Sequence, residues 1–265
     1  MTSHEIYPGT PLVSVTFELR HPESEAIHGA RRSALHRALE TDYPLMRSQQ
    51  SFTQTFDLGP GGSVSQPVRE EFPRFLNRNL NTSVSFTKTS TIIETSAYPG
   101  WATFRAEIET ICEARNSVEP ILGIERLGLR YIDEVRVNMA QTPGWEPWIH
   151  ESLLAGRMES SAGLPLRLWQ GTLVYGSEPG QGLVLRYGPA EGYAVDPGSD
   201  LRRPEPVEPG PFFLLDIDSF WVPIDGVPVY DAGELIVEID KLHKPVRQLF
   251  ESSITDKYRD EVLRK

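Results

Sequence analysis

The sequence predicts an α+β protein of two similar halves, each an antiparallel sheet covered by helices. Three observations predict it: period-two alternation recurs in several segments, apolar stripes at helical spacing stand between them, and Gly/Pro clusters punctuate the joins. The order reads β-α-β-β-β-α-β and then α-β-β-β-α, so the second half roughly echoes the first. The expected units are residues 1–140 and 141–265, joined near Asn138 to Gly144, or one continuous domain.

After Pro11, the residues Leu12, Val13, Val15, Phe17 and Leu19 alternate with Ser14, Thr16 and Glu18, which predicts a half-buried first strand ending at His21-Pro22. From Ser24, helical spacing of Ile27, Ala30, Ala34, Leu35 and Ala38 predicts an amphipathic helix closed by Pro44. Thr53, Thr55 and Phe56 suggest a strand, Gly59 to Gly62 a flexible turn, and the next residues an irregular connection. Ser83 to Tyr98, rich in Ser, Thr and β-branched residues, reads as a hairpin. Trp101, Phe104, Ile108 and Ile111 then lay one apolar stripe along a second helix, and Ile121 to Val137 forms a long central strand.

The second half opens with a helix from Glu146-Pro147 to about Arg157, proline being favoured in a first helical turn. Strands Leu166 to Tyr175 and Gly182 to Tyr187 flank a turn at Gly176 to Gly180. Asp196 to Pro211, with its many prolines, is expected to be an exposed loop, either a lid or a plain connection. Phe212 to Val222 is a further strand, and Glu234 to about Arg264 a C-terminal helix with Leu242, Val246, Leu249, Phe250 and Ile254 on its apolar face.

Charge narrows the function classes. With 26 Lys+Arg against 37 Asp+Glu the chain carries −11, and its basic residues form no run longer than a pair, which disfavours tracking of nucleic-acid phosphates. An acidic surface is repelled by anionic lipid, and no apolar stretch reaches the ~20 residues of a membrane span. The first residues lack the basic and apolar regions of a secretory signal, and the single cysteine excludes an intrachain disulfide; both fit the cytosol.

Several segments in this order carry a resemblance. Tyr7-Pro8 leads into the strand at Leu12; the middle strand, Arg126 to Asp133, reads RLGLRYID; and Leu242-His243 precedes Phe250 and Ile254-Thr255. The chain resembles, over nearly its whole length, a sporadically distributed family of uncharacterised bacterial and archaeal proteins of about 250–270 residues with a central RxGxRYI(N/D) strand. Asp133 stands where that family commonly has Asn. The resemblance implies no activity, catalytic residue or cofactor; patchy distribution implies an accessory gene in a mobile, toxin–antitoxin or defence-type locus.

Candidate chemistry centres on that strand. Arg126, Gly128 and Arg130 share one face, with Leu127, Leu129 and Tyr131 on the other, so two guanidinium groups across a glycine could cradle a small anion. Otherwise both arginines pair with sheet carboxylates and Gly128 accommodates a crossing side chain. Asp216 and Asp218 also share one strand face, and could divide acid and base roles in a hydrolase or nucleotide-handling enzyme, or pair with Arg126 and Arg130. No local spacing supplies further metal ligands, so neither a metal nor a cofactor is expected.

Asp240 and His243 lie three apart on a helix, and His150 adjoins Glu151, without a partner histidine at ligand spacing. His243 is thus a third, weaker catalytic candidate beside Asp216 and Asp218. Cys112, beside Ile108 and Ile111, is expected to be a buried, inert thiol. Walker A, dinucleotide and nucleophile-elbow patterns are missing. Aromatic residues crowd the second half: Trp145, Trp148, Trp169, Phe212, Phe213, Phe220 and Trp221 either line a binding surface or fill the core. The expected function is a non-enzymatic cytosolic binding protein that recognises a protein partner, using Arg126, Arg130, Tyr131, Trp148, Trp169 and Trp221. A small-ligand sensor, its proline-rich loop closing over a cavity, is the remaining alternative.

Overall fold

The computed structural model describes residues 7–53, 68–154, 168–176 and 180–265. Among these residues nine strands join one antiparallel sheet: β1 (Leu12–Arg20), β2 (Leu45–Thr53), β3 (Val68–Leu76), β4 (Thr82–Phe86), β5 (Ser90–Thr95), β6 (Arg126–Val135), β7 (Gly171–Tyr175), β8 (Gln181–Gly192) and β9 (Gly210–Trp221). The helices are α1 (Gly29–Leu39), α2 (Trp101–Val118), α3 (Ala232–Ser253) and the single turn α4 (Asp256–Tyr258). The protein is therefore α+β.

The sheet order is β2-β3-β4-β5-β1-β6-β9-β8-β7. β1 and β6 lie side by side at the centre; after each, the chain crosses to an outer edge, returns strand by strand, and closes against the strand it left before entering a helix. Alternation explains which face is dry. Val15, Phe17 and Leu19 of β1, Leu127, Leu129 and Tyr131 of β6, and Phe213, Leu215 and Ile217 of β9 are buried in one core. α2 covers this face with Phe104, Ile108 and Ile111, and α3 with Leu235, Ile236, Ile239, Leu242 and Val246. Asp231 caps α3 by accepting the Glu234 N–H at 2.9 Å.

Four expectations change. β3 occupies residues expected to be an irregular connection; Glu70, Glu71 and Pro73 break the alternation, yet the strand pairs with β2 along its length and with β4 at Arg74 to Leu76. Four strands, rather than the three expected, therefore stand between α1 and α2.

The predicted helix from Glu146 is not formed: within the described residues only a 3-10 turn, Glu151–Leu153, is present. The preceding segment is tied to the C-terminus by an Ile149–Ile254 bridge and by the Thr255 N–H on the Trp148 carbonyl, which sends Trp148, Ile149 and Leu153 into the core.

α1 begins at Gly29 rather than Ser24, because the Ser24 hydroxyl donates to the Lys88 carbonyl and accepts from buried Arg115 at 2.7 Å. The C-terminal helix stops at Ser253, where Ile254 turns extended to pair with Ile149; α4 and a π turn, Arg259–Leu263, finish the chain.

The turn expected at Gly59 to Gly62 lies outside the described residues, as do Thr55 and Phe56 of the strand expected before it, Arg157 and the start of the strand predicted from Leu166.

Candidate functional site

The face of the sheet opposite the helices carries the charged candidates. Register sets Arg130 across from Asp218 and Ile132 across from Asp216, so the long arginines reach diagonally. Arg130 grips Asp216 with Nε at 2.7 Å and Nη2 at 2.9 Å, and Arg186 of β8 approaches the same carboxylate at 3.4 Å. Arg126 donates to Glu18 at 2.6 Å and reaches Asp218 at 3.5 Å. The result is an alternating ladder of charge across β1, β6, β9 and β8.

Gly128 has a definite role within the ladder. A Cβ there would sit 2.5 Å from Nη1 of Arg126, so the missing side chain is what lets that guanidinium fold back over the strand. Hydrogen bonding to Asp216 raises the Arg130 pKa, while burial raises that of Asp218 against the opposing pull of Arg126 and Arg130. Both aspartates face neutralising cations rather than a cleft. Among the described residues no three His, Cys, Asp or Glu side chains group to hold a metal ion.

Further along β6, Glu134 is a buried hub. Arg136 and Arg203 each engage its carboxylate, Arg136 at 2.8 and 2.9 Å, and the Ala194 N–H donates at 2.7 Å. Burial alone would raise its pKa, but these donors outweigh burial and lower it. Arg203 belongs to the proline-rich segment, which crosses the open sheet face as a strap. Asp200 of the strap meets Arg47 at 2.6 Å and Arg74 at 3.9 Å; Arg202 donates its N–H to the Leu80 carbonyl and accepts from Ser96 at 2.6 Å. Beside it lies a cavity of about 160 Å³ bounded by Ser14, Arg74, Glu94, Ser96 and residues 195, 196, 199–201 and 203 of the strap and its approach. A wider open groove of about 730 Å³, lined by Glu23, Glu25, His28, Lys88, Glu119 and Leu122, contains none of the predicted site residues.

The other candidates are dispersed. Tyr131 lies on the helix-covered face, away from the arginines, and its hydroxyl meets Nδ1 of His243 at 3.1 Å. His243 stacks on Trp101 at 4.1 Å, while Asp240 is taken by Trp101 and Arg105. Trp148 is buried beside Tyr258. Trp169 and Trp145 pack edge-on against Phe213, and Trp221 is half-buried against the core. Cys112 is buried, and burial pushes its thiol pKa up to about 12.

Two features escaped sequence reasoning. Glu134 was signalled only by its position in the central strand, where a buried carboxylate requires partners. A surface of aliphatic side chains at one end of the sheet is the second: Leu122 is 68% exposed and Ile224, Val227 and Val229 are 63%, 51% and 81% exposed. The two segments touch, because the Ile124 N–H donates to the Pro228 carbonyl at 3.0 Å. Comparison with known protein families finds no match, and no curated protein matches the chain. No helix among the described residues is long and apolar enough to cross a membrane.

Proposed function

We propose that the protein is a non-enzymatic, cytosolic binding protein that recognises a protein partner, in an accessory locus of the mobile, toxin–antitoxin or defence type that the family resemblance implies. The observation that carries the reading is the aliphatic surface of Leu122, Ile224, Val227 and Val229. Exposed carboxylates at Glu125, Asp225 and Asp231 border it, with no lysine or arginine in residues 222–231. A partner segment bearing aliphatic side chains flanked by Lys or Arg is the complement of such a surface. The hydrolase alternative loses support, because Asp216 and Asp218 are both engaged by arginines.

A photo-crosslinking residue at position 229, compared with one at exposed Arg37, tests this in the native host. The expected result is one protein crosslinked only from position 229, through a basic and aliphatic segment, and lost in Ile224→Asp. Equal crosslinking from both positions, or none from 229, would refute it.

A further inference from the structure

The strap and the cavity beside it form a second candidate site, independent of the aliphatic surface. None of residues 196–209 is buried, so the strap is held by polar links instead of by core packing. Those links are the Asp200 pairs with Arg47 and Arg74, the Arg203–Glu134 contact, and the bonds of Arg202 to Leu80 and Ser96. Leu80 has φ 55°, and is the one non-glycine residue among those described with left-handed backbone; the turn stores strain where it offers its carbonyl to the strap. A segment fastened in this way can exchange its tethers for water and lift without opening the core.

The cavity chemistry selects its occupant. Arg74 already serves Glu94 at 3.1 Å and Gln49 at 3.0 Å, and Arg203 is committed to Glu134, so neither guanidinium is available for an incoming anion. Asp200 is shared between Arg47 and Arg74. Asp196 is different: its Oδ1 accepts the Gly198 N–H at 2.8 Å, and it has no cationic partner among the described residues. The hydroxyls of Ser14, Ser96 and Ser199 complete a polar lining. A volume of about 160 Å³ equals roughly five waters at ~30 Å³ each, enough for a compact molecule of a few heavy atoms.

We infer that this cavity binds a small primary-ammonium compound, an amino acid or amino alcohol, with Asp196 receiving the ammonium group, the serines its polar substituents, and the strap serving as the lid. Ammonium and Asp196 would form a charge-assisted contact beside the strap.

Titration calorimetry on the full chain with L-serine, ethanolamine and propionate tests this, with hydrogen exchange read over residues 195–203. The expected result is binding of L-serine and ethanolamine but not propionate, and slower exchange in the strap on binding. Asp196→Asn, at an exposed position, should leave the unfolding midpoint unchanged and weaken both ligands by about tenfold or more. Absence of binding by either ammonium compound at about 10 mM would overturn the inference, as would equal binding of propionate or unchanged affinity in Asp196→Asn.

Discussion

Asp133 lies on the helix-covered face of β6, with Leu12 and Leu215 as its strand neighbours, and is 4% exposed. Burial raises its pKa to about 8, and no cation offsets the shift. An aspartate in an unfolded chain titrates near ~3.9, so the folded protein holds this proton across a window in which the unfolded chain releases it. The contribution to stability is fully present below the unfolded value and is lost as pH rises through the folded one. Each pH unit in the window costs about 1.4 kcal/mol, which amounts to an upper value on the order of 4 kcal/mol at pH 7. Against a total stability of ~5–15 kcal/mol, that is a large liability at one atom pair.

Asp133→Asn removes the ionisation and keeps the shape. Urea unfolding of both proteins at pH 5, 6, 7 and 8 isolates the effect, because titrations common to both cancel in the difference. The variant should gain on the parent by about 1.4 kcal/mol per unit from pH 5 to 7, with the gain levelling off above pH 8. A difference that is constant with pH, or that narrows as pH rises, would refute the account of Asp133 as a buried neutral acid.

Two further outcomes follow from the open face. Glu134→Gln weakens the hold on Arg136 and Arg203, and should destabilise the protein by about 3 kcal/mol near pH 7 in urea unfolding. The lowered pKa of Glu134 contributes stability that is present above the unfolded value and lost as pH falls, so the penalty should shrink as the protein is acidified toward the glutamate range. Gly128→Ala places a Cβ against Arg126 and should cost about 1 kcal/mol by displacing it from Glu18; the cost should fall to near zero in an Arg126→Ala background, and an undiminished cost would show that the clash lies elsewhere.

The parts of the fold that were legible are those written in short-range alternation. In β1, β6 and β9 the alternating positions Val15, Phe17 and Leu19, Leu127, Leu129 and Tyr131, and Phe213, Leu215 and Ile217 are apolar, which fixes the dry face and places Arg126, Arg130, Asp216 and Asp218 together on the other. Parity alone puts these arginines and aspartates within reach of one another. β3 was illegible because charges and Pro73 interrupt its pattern, and its pairing depends on strands already in place. The Glu134 hub joins residues 69 apart, and the Tyr131–His243 contact joins residues 112 apart; no local spacing encodes either. The helix expected after Glu146 failed for the same reason, since its backbone is claimed by Ile254 and Thr255 from the far end of the chain.

The central seam between β1 and β6 has a consequence for synthesis on the ribosome. Every strand from β1 to β5 has its neighbours within residues 12–95, apart from one side of β1, which must wait for β6. Until then the nascent chain presents a bare edge along Leu12–Arg20, alternating Val, Thr and Phe, the kind of surface on which chains cross-pair. β6 ends at Val135, forty residues beyond the end of β5 at Thr95, so at roughly 5–20 residues per second the exposure lasts on the order of two to eight seconds. Placing β6 immediately after α2 keeps the aggregation-prone interval short.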